Sequence, residues 1–421
     1  MKFLDAASIR LADHIHPGDT IMWGQVCGEP QTLTEALVAQ RAEIGKVSVF
    51  LGAGFSRTLL PEHTDFISLR GIGAVGTHRR LTKAGVLDVV PIHISQMDRA
   101  IRRGVLKCDV ALIQVSPPNE RGEYSPGLIG DYVHAMVESA RVVIAEINAQ
   151  VPWVNCDTPL TSEAIDFAIR TDRPLIEVPS AEITELDEAI AGFVEPFIPD
   201  RATLQVGIGG VPEAIMKLLT GRKGLGIHSG MIGESVVDLI ESGAVTNEYK
   251  EIDRGVTITG ALLGTGRLYR FCERNPAIRL APTSYTHDVS VLSQLSRFIS
   301  MNSALEVDIT GQVNAEAIGA NYLGAVGGQV DYVRAANLST GGRSIIALRA
   351  TAQGGEISRI VSSLSGPVTT ARADVDIVVT EFGAAELRGL SLRERIGAMA
   401  SIAAPQFRQE LEREAHRFIK S

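Results

Sequence analysis

Short apolar runs alternate along the chain with stretches in which apolar residues recur every three or four positions. The runs have the length and β-branched character of strands, and the stretches between them have the spacing of helices with one buried face. Apolar strands separated by helices indicate a parallel sheet covered on both faces, so the pattern predicts an α/β fold. In the first half the predicted strands are TIMWGQ, KVSVFLGAG, GVLDVVPIHI, DVALIQVS, RVVIAEIN and PLIEVP, and the predicted helices include TLTEALVAQRAEI and GDYVHAMVESA.

The same alternation begins again near residue 190. Its predicted strands are ATLQVGIGG, KGLGIHSG, VTITGALLG, AIRLAPTSY, RSIIALRA and DIVVTEFG, with helices such as VPEAIMKLLTG and MIGESVVDLIESG between them. The acid-rich stretch 178–200 separates the two series, which predicts one α/β domain at 1–188 and a second, related one at 189–421. The final thirty residues predict two charged amphipathic helices with a break at Pro405.

Composition narrows the class of partner. The chain has 421 residues and a net charge of -9, which argues against nucleic acid or an anionic membrane as the main partner. No apolar run reaches the ~18 residues that span a bilayer. Arg10, Asp13 and Asp19 interrupt the apolar segment that a signal peptide would need, so we expect a cytoplasmic protein.

The cysteines and histidines do not have the spacing of metal ligands, and we expect no metal site. Cys108 borders an apolar strand and is expected to be buried. Cys27 lies in a glycine-rich loop, where it could be exposed and could serve as a nucleophile.

The clearest local motif is LQVGIGGVPEAIMKLL, in which a strand ends in glycines and a helix follows. Glycines let a ligand approach the backbone, and the first turn of a helix offers N–H groups without partners. The turn from Gly207 to Val211 could therefore hold a phosphate or the oxygen of a thioester as it gains negative charge. The alternative is a tight connection with no ligand. The motif departs from a dinucleotide fingerprint, and the chain has no P-loop sequence.

A second glycine-rich zone, 302–360, carries many polar residues. Such a stretch is costly to order unless it binds a ligand or forms a buried polar network, and the sequence leaves both open. The loops GQVCGEP and SPPNERGEYSPG also follow predicted strands, and ligands of parallel sheets bind at those strand ends. Gln25, Gly28 and Glu29 of the first loop are therefore candidates for the substrate pocket.

Motifs along nearly the whole chain resemble those of the acetyl-CoA hydrolase/transferase family, the 4-hydroxybutyrate CoA-transferase-like group of class I CoA-transferases. They include GDTIMWGQVCGEP, VALIQVSPPNERGEYSPG, GIGGVPEAI, LGIHSGMIGESVVDLIESGAVTN, SMNSALEVDITGQVNAE, GGQVDYVRAANLSTGGRSIIAL and VVTEFGAAELRG. The number and order of these motifs make the resemblance specific.

The resemblance implies two related α/β domains with the active site between them, and a homodimer or larger homo-oligomer. Enzymes of this family move coenzyme A from an acyl group to a free carboxylate, through a glutamyl anhydride and a glutamyl thioester. The resemblance also implies which residues border the acyl-CoA. They are Gly207, Ile208, Gly209, Gly210 and Val211 at the thioester, and Asn302, Glu306, Gly327, Gly328, Gln329 and Gln353 along the coenzyme.

One position departs from the family pattern at the centre of the chemistry. Where relatives read IHSEMISDG, this chain reads IHSGMIGES, so the nucleophilic glutamate falls on Gly230. No glutamyl thioester can form at a glycine. Glu234 could replace the nucleophile, and His228 could act as a base for water, although the resemblance assigns both positions roles beside the glutamate rather than in its place.

Three functions remain open on this sequence. The first is an enzyme that acts on acyl-CoA without a covalent glutamyl intermediate, by hydrolysis or a related thioester reaction. The second is a CoA-transferase with a displaced nucleophile or a ternary-complex mechanism. The third is a CoA-binding protein without catalytic activity.

Overall fold

The computed structural model describes the backbone of residues 1–419 and the side chains of residues 1–414. The chain forms two compact units. The first unit holds Met1–Pro179, Gly230–Glu234 and Thr257–Thr286, and the second holds the remaining described residues. The division into contiguous domains at 1–188 and 189–421 stays a prediction, and it does not coincide with these units. The first unit thus includes two segments of chain that follow residue 188.

Strands and helices alternate as the pattern of apolar residues predicts, and the predicted α/β class is confirmed. The strands are β1 Lys2–Phe3, β2 Thr20–Trp23, β3 Val47–Leu51, β4 Ile67–Gly71, β5 Leu87–Val89, β6 Val110–Val115, β7 Val142–Asn148, β8 Phe167–Thr171, β9 Thr203–Val206, β10 Gly226–Ile232, β11 Thr257–Leu262, β12 Ile278–Leu280, β13 Phe298–Asn302, β14 Glu306–Asp308, β15 Val313–Asn314, β16 Ala317–Ile318, β17 Asn321–Tyr322, β18 Arg343–Ala347, β19 Thr351–Ala352, β20 Ile357–Ser358, β21 Ile360–Val361, β22 Ile377–Thr380 and β23 Gly383–Glu386. The helices are α1 Gln31–Ala39, α2 Arg41–Ile44, α3 Arg79–Lys83, α4 Ile94–Arg102, α5 Val133–Ser139, α6 Glu185–Val194, α7 Gly210–Leu218, α8 Glu234–Glu241, α9 Gly266–Cys272, α10 Thr283–Thr286, α11 Val289–Leu292, α12 Gln329–Leu338, α13 Leu392–Ile402 and α14 Pro405–Ile419.

The first unit is built on a parallel sheet with the strand order β1-β8-β7-β6-β2-β3-β4-β5. All six residues of β6 are buried, as expected for a central strand covered on both faces. The chain moves outward from β2 to β5 and then returns to place β6 on the other side of β2. The carboxyl ends of β2 and β6 therefore meet at the topological switch point, where doubly wound sheets bind ligands.

The sheet of the second unit contains the strands β10-β9-β13-β18-β22-β23 in that order. Its pairs are parallel except the last, in which β23 runs antiparallel to β22. Here the order of strands reverses between β9 and β13, so the loops after Val206 and Asn302 lie at a second switch point. Strand β10 begins in this unit, and its chain passes into the first unit at Gly230.

Local differences from the predicted elements have identifiable causes. PLIEVP, bounded by Pro174 and Pro179, is not a strand, and its Val178 N–H donates instead to the Gly264 carbonyl. The predicted helix MIGESVVDLIESG begins only at Glu234 because Met231 and Ile232 complete β10. The predicted break at Pro405 between the last two helices is confirmed.

Within the part of the chain that the structure describes, every helix is too short or too polar to serve as a membrane-spanning segment.

Candidate functional site

The glycine turn follows β9 at the switch point of the second unit. Gly209 has φ +118° and ψ 178°, a conformation that belongs to glycine, and it is the residue that precedes helix α7. Ile208 at the tip is 45% exposed, and Gly207, Gly209 and Gly210 are partly exposed, so the backbone of the turn is accessible. The first N–H groups of α7 point out of such a turn and can receive an anion or a carbonyl oxygen.

Gly210 is held from behind by a carboxylate. A Cβ on this residue would lie 2.6 Å from Asp187 Oδ2 and 3.1 Å from the Glu182 carbonyl oxygen. Asp187 is itself hydrogen-bonded by Thr184 and by the Arg349 guanidinium at 2.9 Å. The missing side chain at Gly210 therefore lets helix α7 begin directly against a neutralised ion pair.

The strand beside the turn contributes polar groups. A Cβ on Gly207 would lie 3.1 Å from the Met301 carbonyl oxygen, so the turn runs close to the end of β13. Asn302 at that end donates from Nδ2 to Gln205 Oε1 at 3.1 Å. Gln329 donates to the Ser303 carbonyl at 2.8 Å and accepts from Thr370 Oγ1 at 2.8 Å. Within the second unit, these predicted coenzyme residues lie around one sheet edge.

The zone 302–360 is largely a buried polar network. Glu306 accepts hydrogen bonds from Asn314 Nδ2 and from the Ser365 backbone, and Glu316 accepts one from Thr369 Oγ1. Asp308 accepts bonds from Thr310 and Gln312. These carboxylates are thus stabilised inside the protein, which is one of the two outcomes that the sequence leaves open. Whether Glu306 also borders coenzyme A stays a prediction.

The other predicted coenzyme residues have mixed surroundings. A Cβ on Gly328 would lie 2.5 Å from His287 Cδ2, so glycine there makes room for this buried ring. Burial lowers the pKa of His287 to about 3, which keeps the ring neutral. Gly327 has φ +60°, and Gln353, with φ +50°, lies exposed between the short strands β19 and β20. Their role along the coenzyme stays a prediction.

Gly230 lies inside β10, two residues before its end, rather than in a strand-to-helix turn. The two residues before it are fully buried in the second unit. Ser229 Oγ accepts from the Val206 N–H at 3.3 Å, which ties β10 to the end of β9. His228 has no solvent exposure, which argues for a structural place and gives it no direct path to water.

In the first unit, Gly230 neighbours a buried carboxyl group that the sequence did not single out. A Cβ on Gly260 of β11 would lie 2.8 Å from the Gly230 carbonyl oxygen, and Asp131 Oδ1 is closer still to the same point. Gln25 Nε2 donates a hydrogen bond to Asp131 Oδ2, and Gln25 Oε1 accepts one from the Ala53 N–H at 2.9 Å. Burial raises the pKa of Asp131 to about 7, and the hydrogen bond from Gln25 partly offsets this rise.

The remaining residues of the GQVCGEP loop are packed. Gly28 lies against the Ile129 side chain, and Glu29 accepts from Thr34 Oγ1 at 2.7 Å. The alternative that Cys27 is exposed is excluded, because its side chain has no solvent exposure, and burial raises the pKa of the thiol to about 11. A thiol with that pKa is a poor nucleophile near neutral pH.

Glu234 is the first residue of α8, and its carboxylate faces the next connection of the first unit. Its Oε1 accepts from the Thr265 N–H at 2.8 Å and from Thr265 Oγ1 at 2.7 Å. Thr265 in turn caps helix α9 through a hydrogen bond to the Arg267 N–H. These contacts favour a positioning role for Glu234, and its use as a nucleophile stays untested.

Among the residues described, no cluster of three or more histidine, cysteine, aspartate or glutamate side chains has the arrangement of a metal site.

Comparison with known proteins agrees with this architecture. Family models match in both halves, namely the acetyl-CoA hydrolase/transferase N-terminal domain over residues 2–179 and the corresponding C-terminal domain over residues 264–415. The chain is 37% identical over 401 residues to the 4-hydroxybutyrate coenzyme A transferase of Clostridium kluyveri, which covers 94% of this chain and 93% of that protein.

Two solved structures are similar over nearly the full length. RipA from Yersinia pestis aligns with a TM-score of 0.93 and 32% identity, covering 99% of this chain and 97% of that one. The 4-hydroxybutyrate CoA-transferase from Porphyromonas gingivalis aligns with a TM-score of 0.83 and 33% identity over the same shares. The chain therefore belongs to the acetyl-CoA hydrolase/transferase family.

Proposed function

We propose that this protein acts on acyl-CoA thioesters by a route without a glutamyl thioester, with hydrolysis as its reaction. The observation that carries this proposal is Gly230, the position at which the family resemblance places the nucleophilic glutamate. A residue without a side chain cannot form the anhydride and thioester of a ping-pong transfer. Water or part of an acyl group can use the space that a glutamate would fill.

The glycine turn supports binding and activation of the thioester. Backbone N–H groups at the start of α7 would receive the carbonyl oxygen as it becomes an oxyanion, with Gly209 giving the turn its shape. Stabilisation of this kind alone sustains about 10³-fold catalysis in enzymes that have lost their nucleophile. Asn302 and Gln329 are the polar side chains proposed to hold the coenzyme beside the turn.

An assay of the purified protein with a panel of short acyl-CoAs, with and without acetate, tests the proposal. We expect release of free CoA thiol without an acceptor, and no dependence of the rate on acetate. Release only in the presence of a carboxylate acceptor would replace hydrolysis by transfer. CoA binding measured by calorimetry, with neither reaction detected, would support a CoA-binding protein without catalytic activity.

The Gly230→Glu variant is a matched gain-of-function test. It should acquire acceptor-dependent transfer and a covalent enzyme–CoA thioester that borohydride or hydroxylamine traps, since the attacking carboxylate is then present. Gly230→Gln is its control, because it has nearly the same shape and cannot form the thioester. Equal behaviour of the two variants would show that the surrounding pocket does not support covalent transfer.

Transfer by a ternary complex is the second candidate, and the transferase activity of the relatives favours it. The Clostridium kluyveri relative is a transferase, as are several other proteins of this family. In that case both the acyl-CoA and the acceptor carboxylate would be bound together. Initial-rate kinetics would then show intersecting rather than parallel lines when both substrates are varied.

A further inference from the structure

The switch point of the first unit holds a carboxyl group for which the reaction proposed above has a use. Gln25 follows β2, the loop after β6 leads to Asp131, and these are the two strands between which the sheet order reverses. Asp131 is 3% exposed and Gln25 is 8% exposed. An acidic side chain buried at the ligand-binding edge of a sheet is costly to keep unless the site uses it.

Backbone hydrogen bonds hold the main chain at Asp131 in place. The Asp131 N–H donates to the Gly260 carbonyl at 3.3 Å, and the neighbouring Gly130 N–H donates to the same oxygen at 2.7 Å. The Asp131 carbonyl accepts from the Thr283 N–H at 2.9 Å. The main chain at Asp131 is thus fixed beside Gly260, and the hydrogen bond from Gln25 Nε2 orients the carboxyl group itself.

Glycines keep the surroundings of this carboxyl group clear. Gly260 lies between Asp131 Oδ1 and the Gly230 backbone, and any side chain there would separate them. On the other side, a Cβ on Gly52 would collide with both Gln25 Oε1 and Tyr132 Oη. Asp131 and residue 230 are therefore neighbours with only backbone between them.

A second polar group is aimed at the same place. Tyr132 is fully buried, and its hydroxyl has no hydrogen-bond partner among the side chains and backbone that the structure describes. A buried hydroxyl in this condition loses free energy unless a ligand or water satisfies it. Its position at Gly52, against Gln25, indicates that a polar molecule enters this cluster.

From this geometry we infer that Asp131, oriented by Gln25, is the general base that activates water for thioester hydrolysis beside Gly230. The inference rests on the proposed hydrolysis. The water oxygen bonds to the thioester carbonyl carbon while its proton passes to the Asp131 carboxylate. The carbon–sulfur bond then breaks, its electron pair goes to sulfur, and the proton leaves Asp131 for the thiolate. The products are the free acid and CoA thiol, and Asp131 is again ionised.

The electrostatic surroundings suit a base that works near neutral pH. Titratable groups around Asp131 and Gln25 include Tyr132, His78 beyond Gly52, and Glu29 in the same loop as Gln25, and Asp98 and His134 line a cavity with the neighbouring Gly130. Burial raises the pKa of Tyr132 and lowers the pKa of His78 to about 4, so both are neutral at pH 7. With the pKa of Asp131 near 7, the carboxyl group can both take and return a proton.

Asp131→Asn tests the inference in the full-length protein. The amide keeps the shape and can still accept from Gln25, so the fold and the KM for acyl-CoA should change little. The kcat for hydrolysis should fall by about 10²-fold or more, as expected for loss of a general base. Asp98→Asn is the matched control, since Asp98 is a buried carboxylate of the same unit at 6% exposure.

Two readouts separate a base from a structural residue. Hydroxylamine attacks thioesters without a base, so Asp131→Asn should retain hydroxamate formation while losing hydrolysis. Gln25→Met removes the donor that lowers the pKa of Asp131, so the acidic limb of the kcat–pH profile should move to higher pH. A structural role would lower both reactions together and leave the profile unmoved.

The outcomes are distinguishable. An active wild type whose Asp131→Asn variant hydrolyses acyl-CoA at a similar rate overturns the base role alone. Equal loss of hydrolysis and hydroxylamine cleavage also overturns it. A wild type that cleaves no acyl-CoA overturns the proposed function, and the base role falls with it.

Discussion

The two switch points of this protein present different chemical groups, backbone N–H groups in the second unit and buried side chains in the first. In the second unit the edge is an exposed glycine turn followed by a helix, and the groups that we propose act there are backbone N–H groups. In the first unit the edge is a buried cluster of side chains, with Asp131, Gln25 and Tyr132 packed against glycines. The corresponding edges of two parallel sheets thus carry the groups for two proposed kinds of chemistry.

The difference shows how a sheet edge divides tasks. Backbone donors cannot change their protonation, so the open turn suits a group that develops negative charge, such as a thioester oxygen. A buried carboxyl group can change its protonation near neutral pH, so the closed edge suits proton transfer. Substitutions at one edge should therefore alter ligand binding, and substitutions at the other should alter pH dependence.

The largest expected effect is the pH dependence that Asp131, at the buried edge of the first unit, gives to the free energy of unfolding. The folded pKa of Asp131 is about 7, above the ordinary value of 3.8, so the folded state binds the extra proton between these values. The contribution of Asp131 to stability is therefore full below pH 4 and is lost as the pH rises through 7. Between pH 5 and 8 the wild type should lose about 3 kcal/mol relative to Asp131→Asn.

Urea unfolding of both proteins at several pH values measures this difference. Asp98→Asn again serves as the control. A constant difference between wild type and Asp131→Asn across this pH range would show that the carboxyl group titrates normally. In that case the first unit would not differ from the glycine turn by a group that changes its protonation near neutral pH.

At the open edge, Gly209→Ala should strain the turn. The backbone at φ +118° and ψ 178° is almost exclusive to glycine, and alanine there costs about 1–3 kcal/mol. CoA affinity, measured by calorimetry, should fall about 10-fold while the pH profile of hydrolysis stays in place.

Gly221→Ala, in the turn that ends helix α7, is the control for Gly209→Ala. Its Cβ meets nothing within 4 Å and it has no positive φ, so this variant should bind as the wild type does. Unchanged CoA affinity in Gly209→Ala would mean that the turn does not contact the ligand.

The smallest expected effect is that of Glu234→Gln. The amide oxygen can still accept from Thr265, so the loss is limited to one charge beside two helix starts, about 1 kcal/mol. Hydrolysis should stay within about threefold of wild type, as it should for the exposed control Glu248→Gln. Abolished activity would identify Glu234 as a displaced nucleophile and add a second acidic group to the comparison.

The fold follows from the apolar pattern because central strands such as β6 are buried on both faces and contain little else. Prediction is wrong where tertiary contacts decide. PLIEVP has the composition of a strand but forms none. Helix α12 lies within the glycine-rich zone, whose composition does not predict a helix. The order of the strands in a sheet, and therefore the position of its switch point, cannot be predicted from local sequence patterns.

The candidate site shows the same division. The glycine turn is visible in the sequence because its residues are consecutive, and Gly230 stands out against the family pattern. Asp131 has no such signal, since Gln25, Gly52 and Gly260 come from distant parts of the chain and meet only in the folded unit. The role that we propose for Asp131 depends on its burial, which a sequence motif does not encode.

The passage of strand β10 from one unit to the other has a consequence for synthesis. The first unit includes Gly230–Glu234 and Thr257–Thr286, so its chain is not complete until almost 290 residues have been made. A fragment ending near residue 180 would contain all eight strands of the first sheet, but it would lack Gly260 and Thr283, whose backbone groups pair with Gly130 and Asp131. During synthesis the surroundings of the Asp131 carboxyl group can therefore be completed only after helix α10 has been made.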